Sequence, residues 1–407
     1  QSALMTTALA NNTRPVKENG TTLADPFDVG AGRVDVAKAV QAGFVLDESV
    51  TTMWNANPAW GGDPTALNLA SLANPSCVEK CEWIRTITST MDSTVTWTVQ
   101  AMAQGFTLTV EPASFALAPG ATQQIKITAD VSQATLNAWR FDKVVFTPDS
   151  EDTVAAHFPA AVKRAVSNIP TQVRINTNEQ QGTDVLTDLK AIEIVTLTTG
   201  VHGLAQAVLS EAYIVEDPTP DDPTDVENGG VQYYTATVAA TDMRLVVEIV
   251  KSTSPDLDLF VYNRNGTRVC ASATSAALEY CSISGSSLIT GTYHIFIQNF
   301  ESGQSTITLP DRVVYATAVV PVADQDNFEV TGPAAVAAGD PFTLTMQWDI
   351  TGYQTSMFSV KSYWYGAFDT GTEPATPGNL GRTFVDLVYT PITHIYLPLV
   401  MRAYPAP

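Results

Sequence analysis

Short stretches in which apolar and polar side chains alternate recur from about Val50 to Thr390, and this rhythm limits the fold more than any other feature of the sequence. "TVTWTVQAM", "FTLTVEP", "QQIKITADV" and "DKVVFTPDS" all follow it. Period-two alternation places one set of side chains on each face of a strand, whereas a helix needs apolar residues three or four apart. Turn signals such as "APGA" separate the stretches. Many short strands at this spacing predict β-sandwiches. The expected fold class is therefore mainly β: tandem β-sandwich domains behind a short helical segment.

Composition agrees with this reading and removes several functions. A chain of 407 residues that is 45% hydrophobic can bury several cores, about three at roughly 100–200 residues per domain. With 21 Lys and Arg against 42 Asp and Glu, the net charge is −21. Such a surface repels phosphate backbones and anionic lipid, so neither nucleic acid nor an acidic membrane is an expected partner. No run of about 20 apolar residues offers a membrane span. The four cysteines form two local pairs, Cys77 with Cys81 and Cys270 with Cys281. Closed as disulfides, they suit an oxidising, secreted setting. A zinc site would need convergent ligands, and none of the four His stands beside either pair.

The helical rhythm is confined to the start. Ala3, Leu4, Ala8 and Leu9 fall on one helical face, which "NNTRP" ends because Pro15 cannot continue a helix. In "DPFDVGAGRVDVAKAVQAG", Gly30 and Gly32 permit a tight turn, and the residues after it predict a short helix stopped by Gly43. Four segments follow from these signals: 1–49, 50–216, 217–320 and 321–407. "AIEIVTLTTG" and "QAVLSEAYIVEDP" are assigned to the second segment. The Asp- and Pro-rich "EDPTPDDPTDVENGG" reads as a linker. Beyond it "VQYYTATVA", "RLVVEIVKS", "LDLFVYNRNGTRV" and "GTYHIFIQNF" form another strand-rich unit, with Asn265-Gly266 as a hairpin turn. A last unit runs from about Pro321 into the tail "IYLPLVMR".

"SALMTTA" followed by "DPFDVGAGRVDVAKAVQAGFVLD" resembles the end of the catalytic domain of subtilisin-like serine peptidases, the subtilases. Ser2 to Ala8 and Gly30 to Gly32 carry the likeness, which covers about the first 47 residues. On that resemblance, residues 1–49 are the C-terminal end of an α/β subtilisin-like domain. "ALNLASLANPSCVEKCEWIRTITSTMDSTVTWTVQA" is similar to the fibronectin-III-like domain behind that catalytic domain, with Arg85-Thr86-Ile87-Thr88 matching a family strand. Ala70 and Ser89 depart from the usual Pro and Asn. "SPDLDLFVYNRNGTRV" with "GTYHIFIQNF" resembles the bacterial pre-peptidase C-terminal domain, and 321–407 is read as an immunoglobulin- or fibronectin-like sandwich with a tail.

The resemblance implies a Ser-His-Asp mechanism with an oxyanion-hole Asn, all four residues lying upstream of Gln1. No catalytic residue is therefore expected in this chain. Thr355-Ser356-Met357 echoes the nucleophile motif, but it lacks the preceding Gly and a following helix, so it reads as strand. His157, His202, His294 and His394 stand among strand residues with no Ser or Cys partner in sequence. Asp256 and Asp258 alternate along a strand and read as turn caps; with Asp221, Asp222, Asp225 and Glu227 they are also candidates for calcium, a hard cation that takes several oxygen ligands. Tyr363, Trp364, Tyr365 and Phe368, and Trp54 with Trp60, read as core or as an aromatic platform. The sequons at Asn11, Asn19 and Asn265 carry weight only in a eukaryotic host.

The resulting expectation is the C-terminal accessory region of a secreted subtilisin-like serine endopeptidase. It would complete the peptidase fold, position a protein or peptide substrate, or attach the enzyme to a surface. The alternative is a non-catalytic extracellular protein, structural, adhesive or self-assembling, derived from a subtilase. Either way a partner is expected on residues 1–47: the upstream catalytic segment or a second copy.

Overall fold

The protein is mainly β, as the alternation predicts. Its computed structural model describes residues 1–9, 16–57, 62–101, 105–305, 309–352, 361–374 and 378–391. They fall into two compact units. One comprises 1–169, 188–195 and 334–342, and the other 170–187, 196–333 and 343–407.

The first unit opens with helix α1 (Ser2–Thr6), the strand pair β1 (Lys17–Glu18) and β2 (Thr22–Leu23), and two single-turn helices, α2 (Pro26–Val29) and α3 (Val36–Ala39). Next come β3 (Phe44–Val45), α4 (Val50–Asn55) and eight strands: β4 (Leu72–Cys77), β5 (Lys80–Ser89), β6 (Val95–Ala101), β7 (Thr107–Glu111), β8 (Ser114–Leu117), β9 (Thr122–Asp130), β10 (Trp139–Pro148) and β11 (Ala156–Arg164). They form two sheets, ordered β3-β5-β9-β7 and β4-β11-β10-β6-β8. Val95, Trp97 and Val99 of β6 point inward while Thr96, Thr98 and Gln100 do not, which is the alternation read from "TVTWTVQ". Phe44 joins this core with its ring 4.9 Å from Trp97 and 5.2 Å from Phe146. The first sandwich therefore starts at β3, inside the stretch assigned to the subtilisin-like remnant. Gly43 does not cap a helix, since α3 ends at Ala39. It is a point of close approach, where a Cβ would sit 2.7 Å from the Trp97 ring.

Two side chains tie "LNL" to "RTIT". Asn68 accepts from the Thr86 amide (2.8 Å) and donates to the Thr86 (2.9 Å) and Asp47 (3.1 Å) carbonyls. Arg85, 2% exposed, donates to the carbonyls of Thr65, Leu69, Ser71 and Ile84. Burial lowers its pKa to about 10, against the favourable charges of Glu48 and Asp63. The Cys77–Cys81 disulfide closes the corner where β4 in one sheet passes to β5 in the other.

The second unit corrects the linear segmentation. Strands β12 (Gln172–Thr177), β13 (Gln181–Leu189) and β14 (Leu197–Gln206) precede β15 (Val208–Ile214), β16 (Val231–Val238), β17 (Asp242–Ser252), β18 (Asp256–Tyr262), β19 (Arg268–Ser272), β20 (Tyr280–Ser284), β21 (Gly291–Glu301) and β22 (Asp311–Pro321). Then come β23 (Phe328–Thr331), β24 (Phe342–Asp349), β25 (Ser362–Thr372) and β26 (Gly381–Tyr389). β12 and β14 do not finish the first sandwich. They pair with the far end of the chain in the sheet β12-β26-β25-β14, faced by β13-β24-β23. Strands β15 to β22 form a separate sandwich inserted between β14 and β23, of sheets β15-β22-β17-β20 and β16-β21-β18-β19. Its first and last strands pair with each other, Val208 opposite Thr317, so the chain enters and leaves at one place. "QAVLSEAYIVEDP" thus opens the inserted sandwich.

The expected linker is an ordered loop inside that sandwich, joining β15 to β16. Asp217, 3% exposed, accepts from Gln298 (2.6 Å) and from Asn228 (3.0 Å), pinning the loop to β21. The Cys270–Cys281 disulfide joins edge strands β19 and β20, one from each sheet. Around Asn265-Gly266, Asn263 Oδ1 accepts from the amides of Asn265 (2.9 Å) and Thr267 (3.1 Å), and Gly266 takes φ +74°.

The inserted sandwich packs on the one that hosts it through Met243, Val246, Ala316, Ala318 and Val320 against Tyr363, Tyr365, Ala367 and Val388. Within this contact Arg244 is wholly buried and meets Asp386 at 2.8 Å. It also donates to Ser282 Oγ (2.9 Å) and Tyr280 Oη (2.5 Å), while its guanidinium lies 4.6 Å over the Phe384 ring. Asp386 further accepts from Tyr280 (2.8 Å) and Gln172 (2.7 Å). Every charge is matched, as burial of an ion pair requires.

Candidate functional site

The residues that carry chemistry elsewhere are structural or engaged here. Half-buried His157 lies 2.9 Å from the Ala31 carbonyl through Nε2, and its partial burial lowers its pKa. The ring donates through Nε2 to the Gly30–Gly32 turn, where both glycines have positive φ as expected. His202 lies 2.6 Å from the Val322 carbonyl and 3.1 Å from Asp369, which also pairs with Arg382. His294 stacks on Tyr233. His394, Thr355-Ser356-Met357, Trp60, Asn11 and the "IYLPLVMR" tail lie outside the described residues. Tyr363, Trp364, Tyr365 and Phe368 are all buried, so that aromatic run is core. Cys77, Cys81, Cys270 and Cys281 are paired as expected.

Asp256 and Asp258 do share the outward face of β18. Burial, with the nearby Asp256 and Glu279 charges, pushes the Asp258 carboxyl up to about 6. Burial also raises Asp256, together with the charges of Glu301 and Glu279. The loop acids are turn formers: Asp222 accepts from the Thr224 amide (3.1 Å) and hydroxyl (2.7 Å), and Asp225 from the Glu227 amide (3.1 Å). Among the described residues no group of three or more His, Cys, Asp or Glu is arranged to hold a metal ion.

What the structure assembles instead is an apolar surface at the start of the first unit. α1 is held from one side. Ser2 Oγ accepts from the Leu46 amide (2.8 Å), Thr6 and Thr7 are buried, and Leu9 exchanges backbone bonds with Arg33 (2.8 and 3.0 Å). Asp25 caps α2 and Asp35 caps α3. These anchors leave a series of large apolar side chains outward: Val34, Val36 and Val40 around α3, and Val50, Met53 and Trp54 on α4. Val40 and Val50 are over 80% exposed, at 81% and 82%. Val50, Met53, Trp54, Pro64 and Leu67 line a groove of about 440 Å³. Beside it a smaller hollow of about 180 Å³ is lined by Ser2, Met5, Glu48 and Asn68 among others. Sequence reasoning placed a partner on residues 1–47 but did not find the contribution of α4, whose residues do not belong to the subtilase-like motif.

No protein-family model matches the chain, and no curated protein matches it. Solved structures give weak likenesses. Secreted serine protease VesC from Vibrio cholerae is 11% identical over 61% of this chain and 49% of its own, with a TM-score of 0.19. Tripeptidyl peptidase 2 is 9% identical over 98% and 44%, with a TM-score of 0.29. A protein of unknown function from Porphyromonas gingivalis W83 is 7% identical over 78% and 96%, with a TM-score of 0.20. The chain spans about half the length of the two peptidases, at 49% and 44%. Likenesses at these scores carry no argument about activity.

Proposed function

We propose that this chain is the accessory region of a secreted subtilisin-like serine endopeptidase, and that the Val34–Trp54 surface docks the catalytic segment. The observation that carries the reading is the exposure of Val34, Val36, Val40, Val50 and Trp54 on a segment held from its other side. Large apolar side chains left outward in this number, Val50, Met53 and Trp54 sharing one groove, mark surface that another surface covers. Burying each contributes about 1.5–3 kcal/mol towards the cost of association. The same segment carries the subtilase-like "SALMTTA" and Gly-Ala-Gly motifs. The catalytic segment, on the same polypeptide or a separate one, supplies Ser, His and Asp. The sandwiches position the protein substrate or attach the enzyme to a surface. Two closed disulfides suit an oxidising setting.

The test is to purify the protein under non-denaturing conditions from the cells that make it, treat it with a fluorophosphonate probe, and run a denaturing gel. A labelled band on, or co-purifying with, this chain is expected, and Val40→Asp with Val50→Asp should abolish the labelled complex. An unlabelled preparation containing this chain alone refutes the reading. If that preparation sediments as a dimer which Val40→Asp dissociates, a second copy is the partner and the protein is structural.

A further inference from the structure

We propose that the outward face of the sheet β16-β21-β18-β19 binds an extended, cationic peptide segment rich in Lys or Arg. The register builds this face in rows. Tyr233 lies opposite Phe296, which lies opposite Phe260; one step along, Thr235, His294 and Tyr262 are aligned in the same way. Outward side chains of a strand recur every second residue, so rings on neighbouring strands become a continuous patch. The Tyr233 and Phe296 rings are 5.1 Å apart, Tyr262 and Phe296 5.6 Å, and Tyr233 and His294 6.0 Å and stacked. Tyr233 Oη and His294 Nδ1 are 2.8 Å apart, which holds both rings in place. Tyr233 is 40% exposed, while Phe296, Tyr262 and His294 are half-buried.

The occupant follows from what flanks the rings. The next row on the other side brings half-buried Asp258 opposite Gln298, which the β15–β16 loop covers, and beyond it half-buried Asp256 lies opposite exposed Glu301. None of the ion pairs among the described residues involves these three carboxylates. Asp256 Oδ1 is buried with no hydrogen-bond partner. The one cation over a ring of this patch, among the described residues, is Arg268, 5.9 Å above Phe260. Ring faces attract ammonium and guanidinium groups, and carboxylates beside them add charge complementarity. A chain of net charge −21 steers cations toward itself. In an extended peptide alternate side chains repeat about every 6.6 Å, the spacing of outward residues on the strands beneath. Alternate Lys or Arg can therefore reach a ring and a carboxylate at successive steps. A neutral sugar would use the rings and leave the carboxylates without a counter-charge. The upward shift of Asp258, caused first by burial and then by Asp256 and Glu279, is what a bound cation would reverse. The inference is independent of the docking surface on residues 34–54.

The probe is a fluorescent peptide of alternating Lys and Ala, titrated by anisotropy against the whole protein at physiological ionic strength. Saturable binding is expected, weakened about tenfold by Tyr233→Ala and several-fold by Asp258→Asn. Binding should also weaken as pH falls through about 6, where Asp258 takes up a proton. An alternating Ser-Ala peptide and a neutral oligosaccharide should not bind. Three results overturn the proposal: no binding, binding untouched by both substitutions, or oligosaccharide binding that Tyr233→Ala removes. Phe296→Ala serves as the second ring variant where Tyr233→Ala fails to fold.

Discussion

The inserted sandwich has two outer faces, and they have opposite fates. The face of β15-β22-β17-β20 carries small and branched side chains, Val246, Ala316, Ala318 and Val320, and is covered by the hosting sheet. The face of β16-β21-β18-β19 carries exposed Tyr233 and half-buried Tyr262, His294 and Phe296 beside half-buried Asp256 and Asp258; the β15–β16 loop rests on its Gln298, and the ring rows are left open. Both sheets share one inner core of aliphatic residues around Tyr293. The difference lies in how charge is handled. On the covered face Arg244 finds Asp386, Tyr280 and Ser282. On the open face Asp256 and Asp258 have no cation among the described residues. A completed interface pairs its charges, and an open one leaves them for a partner.

This contrast can be broken on either face. The largest effect is expected from Arg244→Ala, which leaves Asp386 buried and uncompensated. It should cost about 3–5 kcal/mol in chemical denaturation, and the double variant Arg244→Met/Asp386→Leu should recover most of it. A loss below 1 kcal/mol would mean that the network does not hold the two sandwiches together. On the open face Phe296→Ala should cost only about 1 kcal/mol, against the 3–5 kcal/mol typical of a core Phe. A core-like loss would show that the rings are covered in solution, and the comparison would fail. The smallest effect belongs to Asp258. Its carboxyl is pushed up to about 6, above the ordinary carboxylate range, so its ionised form weakens the folded state. That penalty is full well above pH 6 and absent below about pH 4. Asp258→Asn should therefore raise Tm at pH 7.5, by less than about 1 kcal/mol in stability because solvent still reaches the half-buried group and screens it, and should change nothing at pH 4. A gain that persists at pH 4 would separate it from ionisation.

Much was legible locally. The strand runs were found because alternation is a property of adjacent residues, and β6 buries the side chains that "TVTWTVQ" marks. The Gly30–Gly32 turn, the Asn265-Gly266 hairpin and both disulfides were visible for the same reason: each is local, the longer disulfide having a sequence separation of 11. The short helix was expected to run to Gly43 but ends at Ala39, because that glycine serves a contact with Trp97, more than 50 residues away. The expected linker failed because Asp217, besides its bonds within the loop, accepts from Gln298 of β21, a partner far away in sequence. "SYWYGAF" was ambiguous because a strand with both faces buried has no alternation to read.

The amino-acid sequence by itself determined that this protein is built of strands, where they turn, which cysteines close, and that its surface is acidic. Only the tertiary structure decided which strands are neighbours. β12 pairs in parallel with β26, Gln172 opposite Phe384, across the whole inserted sandwich. Backbone hydrogen bonds are the same for any partner strand, so the choice rests on side-chain packing between distant segments. That packing covers one outer face of the inserted sandwich and leaves the other, with its rings and carboxylates, open.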